Sequence, residues 1–552
     1  MTSRLNIWQL VPIFMLAVLP FAATFAIPYP DERHYTDGAM GMLRDHDWLV
    51  PKAPDGQPRF NKPPFAYWTT AASFAAFGVN PLAARLPFLL ASCGTIFMTW
   101  RLARKLTGNE NTALLAALIL VTHVQFVLAA VRSIPDAWLC LFILLSAEGF
   151  LRLIVFEEFT AGAFWLAYGG AALAALDKGL FGPAIVLFAW VFAFACKKSF
   201  GAVKKLLHWP GITAAVLVVA AWFVLVFKLC GATAWRVFYE DQVTDNVHGH
   251  WWSPLWRLPV YGLILALNFL PWSLPALEAW LRGKWTPSAS RLNPRAQAFI
   301  IAWCAVLVAG FAFGENISLR YLLPATPLAA ILVAEILAGA DGGALWFSTR
   351  RMLKFVLGLD LLLCAAALAI NAQWDMSTAE FLAANLFFLM VVMLGLGALG
   401  RGWFSTGEGL GLALLLIFPL LFLAVNRVLL PNPCQQMAMM VRQTDHAPGK
   451  PVLFLGHPAL ASGVRLFLED RCRIVRADTL AQAPGELAGY SMVLAPEQDV
   501  AALKRLGYDL HLAAIIPGPL PRSEWWPVFR TRELPEALEQ YGRKYFLMTP
   551  GN

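Results

Sequence analysis

The chain has 552 residues, of which 59% are hydrophobic and only 14% are charged, and its mean hydropathy is +0.59. Soluble proteins carry roughly 25% charged residues, so this composition excludes an ordinary soluble enzyme. The formal net charge is +8 at pH 7. Because the basic residues lie in short stretches between long apolar runs, they are expected to orient a membrane protein, and no nucleic-acid partner is expected.

Apolar runs of the length that a bilayer requires recur along most of the chain. The first run follows a short tail and has no convincing cleavage site, so we interpret it as a retained helix. Together the runs predict about 13 transmembrane spans. They centre on residues 7–27, 83–100, 112–131, 135–155, 162–176, 180–196, 212–231, 257–280, 297–313, 319–338, 354–370, 380–399 and 408–426.

The basic residues between these runs predict the orientation of the chain. Lys and Arg in short loops stay cytoplasmic, and a cytoplasmic N-terminus puts most of them on that side. They are Arg4, Arg101, Arg104, Lys105, Lys197, Lys198, Lys204, Lys205, Arg282, Lys284, Arg291, Arg295, Arg350, Arg351, Lys354 and Arg401. The short loops on the other side carry only Arg132, Lys178, Arg236 and Arg320. The pattern predicts a multi-pass protein of the bacterial inner membrane with a cytoplasmic N-terminus.

Two long polar stretches fall outside the cytoplasm in this topology. The first, residues 28–81, belongs to a predicted membrane domain of residues 1–429, and its apolar part at 69–77 is expected to lie as a helix along the interface. The second, residues 430–552, is predicted to form a small periplasmic α/β domain. Its strands are expected at 452–455, 491–494, 510–516 and 545–548, and its helices near 459–468 and 500–506.

Two of the eight cysteines, Cys434 and Cys472, lie in the terminal domain, where the compartment permits a disulfide. The sequence does not supply the geometry that such a bridge demands, so the pairing stays open. The other six lie in or beside apolar runs and are expected to behave as small hydrophobic side chains.

Ionisable residues collect at the outer ends of the predicted spans. They are Asp31, Glu32, Arg33, His34, Arg132, Asp136, Asp177, Lys178, Glu240, Asp241, Asp245, His248, His250, Glu315 and Arg320. Loops are usually polar, so each of these residues taken alone is explained by solvation. As a set they indicate a site at the outer face, whereas a transporter more often carries such groups within its spans near the bilayer midplane.

Several of these residues belong to ordered motifs that resemble a known family. The motifs are Pro30-Asp-Glu-Arg-His-Tyr, Met42-Leu, Asp47-Trp-Leu-Val-Pro, Phe60-Asn-Lys-Pro-Pro-Phe-Ala-Tyr-Trp, Phe77-Gly-Val-Asn, Ala84-Arg-Leu-Pro, Ile134-Pro-Asp, Asp177-Lys-Gly-Leu, Asn268-Phe-Leu-Pro-Trp and Arg320-Tyr-Leu-Leu-Pro. In this order they resemble the bacterial protein-mannosyltransferase-like membrane glycosyltransferases, and in particular the aminoarabinose transferases that modify lipid A. The resemblance covers roughly residues 10–340.

The resemblance implies a mainly α, polytopic GT-C fold, an active site outside the cytoplasm and a polyprenyl-phosphate-linked sugar as donor. By the family's motifs, Asp31 is the leading catalytic carboxylate, and Glu32 and Asp136 join it. The expected ligands of the donor phosphate or substrate are Arg33, His34, Tyr35, Lys62, Lys178, Arg320 and Tyr321. Cations suit this chemistry because the leaving group is a phosphate whose negative charge grows as the glycosidic bond breaks.

Three further expectations concern the ligands. Asp245, His248 and His250 are candidate ligands of a divalent metal, although two histidines at this spacing also occur as ordinary polar contacts. The acceptor is expected to be a lipid or glycolipid such as lipid A, with membrane lipids around the spans. The chain departs from the family at His34, where an arginine is usual, and at Asn61, where an acidic residue is usual, so the sugar and the acceptor stay open.

The leading hypothesis is therefore an inverting, polyprenyl-phosphate-sugar-dependent glycosyltransferase. A transporter or flippase of a lipid-linked sugar is the main alternative, and it predicts movement of the lipid without bond cleavage. A non-catalytic assembly subunit whose terminal domain binds a partner is the third.

Overall fold

The computed structural model is mainly helical, as the resemblance implied. It describes residues 5–24, 31–54, 56–240, 253–287, 290–313, 317–339, 347–373, 386, 389–394, 397, 405–425, 433–444, 450–455, 458–475, 489–505, 509–517 and 544–550.

The helices are numbered here in chain order. They are α1 (Ile7–Thr24), α2 (Glu32–Asp45), α3 (Phe65–Phe77), α4 (Pro81–Thr107), α5 (Glu110–Val121), α6 (Val124–Ala130), α7 (Asp136–Ile154), α8 (Ala161–Lys178), α9 (Phe181–Lys197), α10 (Phe200–Leu206), α11 (Trp209–Cys230), α12 (Ala232–Tyr239), α13 (Ser253–Asn268), α14 (Ser273–Leu281), α15 (Pro294–Ala312), α16 (Thr326–Gly339), α17 (Thr349–Gln373), α18 (Thr406–Val425), α19 (Pro433–Thr444), α20 (Pro458–Phe467) and α21 (Glu497–Arg505). A 3-10 helix, Leu319–Ala325, leads into α16.

Within the described ranges, five helices are long and apolar enough to cross a bilayer, or up to seven if each of two bent pairs is one span. The bent pairs are α5 with α6, at 70°, and α13 with α14, at 114°. Every predicted span except 380–399, most of which lies outside the described residues, coincides with one helix or with two consecutive ones. The total of about 13 spans stays a prediction.

Contacts between residues divide the chain into two compact units. The first unit contains Met1–Pro20, Phe60–Ala66 and Pro87–Ala424, and the second contains Phe21–Arg59, Tyr67–Leu86 and Val425–Asn552. Phe21–Arg59 and Tyr67–Leu86, which include most of the first outer loop, thus fall in the same unit as the C-terminal residues. The predicted domain boundary at residue 430 stays a prediction.

In the first unit, small residues let α7 and α8 approach closely. A Cβ on Gly170 would lie 2.7 Å from the backbone N of Ser146, and a Cβ on Gly149 would overlap the backbone of Ala167. Ser146 also donates a hydrogen bond from Oγ to the carbonyl of Ala167, at 2.7 Å. Close packing of Gly, Ala and Ser is how helices associate in lipid, and here it brings the end of α8 beside the start of α7.

In the second unit, the C-terminal residues form a five-stranded sheet with the order β2-β1-β3-β5-β4. The strands are β1 (Val452–Leu455), β2 (Cys472–Val475), β3 (Met492–Pro496), β4 (Leu510–Pro517) and β5 (Lys544–Pro550). β1 runs parallel to β2 and β3, while β5 runs antiparallel to β3 and β4. β1 is buried along its whole length because both faces of the sheet are covered.

Four of these strands lie where the sequence predicted them, within two residues at each end. The helices predicted near 459–468 and 500–506 correspond to α20 and to the second half of α21. The sequence missed β2, whose four residues include an arginine and give no alternating pattern. Cys434 and Cys472 are both buried and are not joined by a disulfide. The periplasmic placement of this sheet stays a prediction.

Candidate active site

Asp136 is the centre of a charged cluster in the first unit. Its Oδ1 lies 2.6 Å from Nζ of Lys178, and its Oδ2 lies 3.5 Å from Nη1 of Arg320. The side chain of Asp136 is only 3% exposed, whereas those of Lys178 and Arg320 are 17% and 21% exposed. The carboxylate is therefore enclosed, while both cations keep part of their surface available to an anion.

Ends of helices far apart in sequence bring these groups together. Asp136 is the first residue of α7, where the helix dipole favours a negative charge. Lys178 is the last residue of α8, which packs along α7 in the opposite direction. Arg320 lies in the 3-10 helix, and that element also packs against α7. The short connections at one end of the bundle thus place the three charges side by side.

Aromatic rings flank the lysine of this cluster. Nζ of Lys178 lies 5.7 Å from the ring centroid of Phe181 and 5.9 Å from that of Tyr321, which are cation–π distances. The ring of Tyr321 in turn stacks on Phe311 with centroids 4.9 Å apart. These rings hold the ammonium group of Lys178 beside the carboxylate, and they make Tyr321 part of the cluster.

Lys62 supplies a third positive charge in the same unit. It lies in the segment Phe60–Ala66 of the first outer loop and acts electrostatically on Asp136. With Lys178 and Arg320, three cations act on Asp136, while the buried carboxylate of Asp177 also interacts with Lys178 and Asp136. Three cations thus face two carboxylates, and the cluster carries an excess of positive charge that an anionic ligand can neutralise.

Asp31 and Glu32 belong to the second unit and play different structural roles there. Asp31 is partly exposed, and its backbone carbonyl accepts a hydrogen bond from the N–H of His34 at 3.1 Å. Glu32 is 4% exposed, and Arg85 donates to both of its oxygens, from Nε at 2.7 Å and from Nη2 at 3.1 Å. This bidentate pair anchors the start of α2 and leaves Asp31 as the more accessible carboxylate.

The next residues of the motif are Arg33, His34 and Tyr35. Burial, and then the positive charges of Arg59 and Arg33, lower the pKa of His34 to about 4. His34 is therefore neutral at pH 7. Tyr35 is 6% exposed, and its ring centroid lies 4.9 Å from that of Tyr67, so its ring packs inside the second unit.

A buried cluster around Asp37 was not predicted from the sequence. Oδ1 of Asp37 accepts a hydrogen bond from Nη1 of Arg465 at 3.0 Å, and its Oδ2 accepts one from Oγ of Ser462 at 2.6 Å. Nε of Arg465 also donates to Asp470, at 2.7 Å. All four residues belong to the second unit. The sequence contained one signal that could have indicated this cluster: Asp37 in α2 and Arg465 in α20 are charged residues among small and apolar neighbours.

The predicted metal ligands Asp245, His248 and His250 lie outside the described residues. Among the residues that the structure does describe, no group of three or more His, Cys, Asp or Glu side chains is arranged to hold a metal ion. The divalent metal therefore stays a prediction.

The chain is similar to several known proteins. The family model described as dolichyl-phosphate-mannose-protein mannosyltransferase matches residues 61–225. An uncharacterized protein of Aquifex aeolicus is 28% identical, over 67% of this chain and 71% of that protein. The undecaprenyl phosphate-alpha-4-amino-4-deoxy-L-arabinose arabinosyl transferase of Pectobacterium atrosepticum is 26% identical, over 71% of this chain and 67% of the transferase.

The crystal structure of ArnT from Cupriavidus metallidurans, bound to undecaprenyl phosphate, superposes with a TM-score of 0.69. The match has 17% sequence identity and covers 98% of this chain and 97% of ArnT, so the two share a fold. The predicted resemblance is thereby confirmed. The chain resembles the aminoarabinose transferases and is a multi-pass membrane protein with the fold of a GT-C glycosyltransferase.

Proposed function

We propose that this chain is an inner-membrane glycosyltransferase that moves a sugar from a polyprenyl-phosphate donor to lipid A or another envelope glycolipid. The observation that carries the proposal is the excess of positive charge around Asp136. A phosphate diester in the membrane needs such a site, because it is anionic as donor and gains charge as leaving group. The relatives support this reading, since one is named for undecaprenyl-phosphate-aminoarabinose transfer and the ArnT structure contains undecaprenyl phosphate.

The cations are proposed to bind the donor phosphate. Lys178 and Arg320 each keep an exposed surface beside the buried carboxylate of Asp136. When the bond between the anomeric carbon and the phosphate oxygen breaks, the bonding electrons stay on that oxygen. Lys62, Lys178 and Arg320 would stabilise the resulting charge, and Asp136 would hold two of them in position.

Asp31 is proposed to act on the acceptor. An acceptor hydroxyl or phosphate oxygen attacks the anomeric carbon, the new C–O bond forms as the old one breaks, and any acceptor proton passes to the carboxylate of Asp31. A single displacement of this kind inverts the anomeric centre. Glu32 is assigned to positioning because both of its oxygens are engaged by Arg85.

The orientation of the chain is part of the same proposal. The N-terminus would be cytoplasmic, and the cluster around Asp136 and the C-terminal sheet would lie on the periplasmic side, as the distribution of Lys and Arg indicates. A donor carried on polyprenyl phosphate suits that side, because nucleotide sugars are not available there.

The proposal is tested with the purified full-length protein in lipid nanodiscs. Undecaprenyl phosphate carrying radiolabelled aminoarabinose is the donor, lipid A is the acceptor, and the products are identified by mass spectrometry. Wild-type protein is expected to transfer label, and Asp31→Ala is expected to lower kcat by about 10²- to 10⁴-fold, the usual contribution of a positioned base. Asp45→Asn changes a surface carboxylate at the other end of α2 and is the matched control.

Wild-type turnover by Asp31→Ala would remove the proposed role of this residue. The same assay separates the enzyme from the transporter. A flippase moves labelled donor across the bilayer of a proteoliposome but leaves the glycosidic bond intact, so labelled lipid A does not form.

A further inference from the structure

Two buried ion pairs hold α2, the helix that directly follows Asp31. Glu32 pairs with Arg85 at its first turn, and Asp37 pairs with Arg465 in its second. The side chains of all four residues are no more than 5% exposed. Water and salt therefore have little access to either pair, which sets them apart from ordinary surface ion pairs.

The two pairs restrain different faces of the helix. Glu32 and Asp37 are five residues apart, so their side chains point about 140° apart around the axis. One pair alone would let α2 roll about that contact. Two pairs on different faces fix its rotation as well as its position along the axis, and both determine where the preceding residue, Asp31, points.

The helix needs such restraints. α2 has only 14 residues and includes Gly38 and Gly41. Isolated helices of this length are marginal in water, and glycine lowers their stability further. α20, which carries Ser462 and Arg465, packs against α2 within the second unit and is itself supported by the sheet core.

We propose that Asp37 and Arg465 are positioning residues for transfer, which fix α2 and thereby aim the carboxylate of Asp31. This inference rests on the proposed role of Asp31. It assigns the C-terminal α/β fold a part in turnover, because that fold supplies Arg465 and Ser462. A reacting group displaced by about 1 Å can lose about 100-fold in rate, so a helix released from one of its two anchors should turn over slowly.

The first test uses Asp37→Ala in the full-length protein. Arg465 keeps its contact with Asp470, so the change leaves no buried cation without a carboxylate and the fold is expected to persist. We expect kcat to fall by about 10- to 100-fold, with the KM for undecaprenyl-phosphate-aminoarabinose within about threefold of the wild-type value. Glu469→Gln removes the exposed pair with Arg442 in the same unit and is the control.

A loss of kcat that matches a loss of folded protein, measured by size-exclusion chromatography and circular dichroism, would mean a merely structural role and overturn the inference. A folded Asp37→Ala variant with the wild-type kcat would also overturn the inference, because loss of the pair would then have no effect on turnover.

A conservative substitution supplies the second test. Asp37→Asn keeps an oxygen that can accept a hydrogen bond from Nη1 of Arg465, 3.0 Å from Asp37, and gains an NH2 group that can donate to Oγ of Ser462, 2.6 Å away. The contact between α2 and α20 should therefore persist, and kcat is expected to stay within about threefold of wild type. A folded Asp37→Asn variant as slow as Asp37→Ala would overturn the inference.

The design separates this inference from the proposed function. If wild-type protein transfers no sugar, the proposed function fails. If wild-type protein is active and Asp31→Ala is not, but Asp37→Ala keeps the wild-type kcat, the function stands and the inference fails.

Discussion

Asp136 is a buried carboxylate whose charge depends on its neighbours. Taking such a group out of water is costly, and the ion pair with Lys178 offsets that cost only while both partners remain. Arg320 is a second and more distant partner. If these groups served only stability, the two buried carboxylates, Asp136 and Asp177, would need no more than two cations. The third cation is better explained by a further anion, which the proposal identifies as the donor phosphate.

Replacing Lys178 by Met tests this explanation. The substitution removes the closest cation and keeps the length and the apolar stem of the side chain. We expect kcat to fall by about 100- to 1000-fold, because a preorganised charge next to the leaving group is lost. Transfer of labelled sugar to lipid A is the measurement.

Lys197→Met is the matched control for that variant. Lys197 ends α9 and pairs with the exposed Glu157, so its contribution should be small. Equal losses of activity in the two variants would argue against a phosphate site at Lys178.

At the scale of the helices, the contact between α2 and α3 depends on one glycine. A Cβ on Gly38 would lie 2.6 Å from Cδ1 of Tyr67, whose side chain is fully buried. Tyr67 also packs against Tyr35. The ring has little room to move, so any larger residue at position 38 should push the two helices apart. The family motif Phe60 to Trp68 thus contains a packing residue beside its proposed functional lysine.

The pair of variants Gly38→Ala and Gly41→Ala isolates this contact. Both gain about 1 kcal/mol of helix propensity. In Gly41→Ala the new Cβ lies 3.7 Å from the carbonyl oxygen of Lys52, an ordinary contact, so thermal stability should hold or rise. In Gly38→Ala the overlap with Tyr67 should cost about 1–3 kcal/mol and lower Tm. Differential scanning fluorimetry measures both, and a Tm for Gly38→Ala at or above that of Gly41→Ala would contradict this packing argument.

At the scale of the whole molecule, the sequence predicted the helices well because each apolar run is a local signal. Apolar runs do not reveal where a span bends, so the breaks between α5 and α6 and between α13 and α14 were missed. The cluster around Asp136 was partly predictable, since each of its charged residues lies near a predicted span end. The pair Asp37–Arg465 was not predictable, because its partners lie 428 positions apart.

Cysteine labelling tests the orientation of the chain. In a variant without native cysteines, Lys204→Cys is expected to react with an impermeant maleimide only after the inner membrane is permeabilised, because its short basic segment should be cytoplasmic. His511→Cys, at a 70% exposed position in β4, should react in intact spheroplasts. Both residues are exposed in the structure, so a difference in labelling between them reports the side of the membrane on which each one lies. Labelling at position 204 in intact spheroplasts, with labelling at position 511 only after permeabilisation, would contradict the predicted topology.

The sequence distance between Asp37 and Arg465 also has a consequence for biosynthesis. At about 5–20 residues per second, a ribosome needs roughly 20–90 s to extend the nascent chain from one residue to the other. Throughout that interval α2 has been translated but its Arg465 anchor has not. Full catalytic competence would therefore arise only near the end of translation, and a chain that ends before residue 465 would lack this anchor of α2.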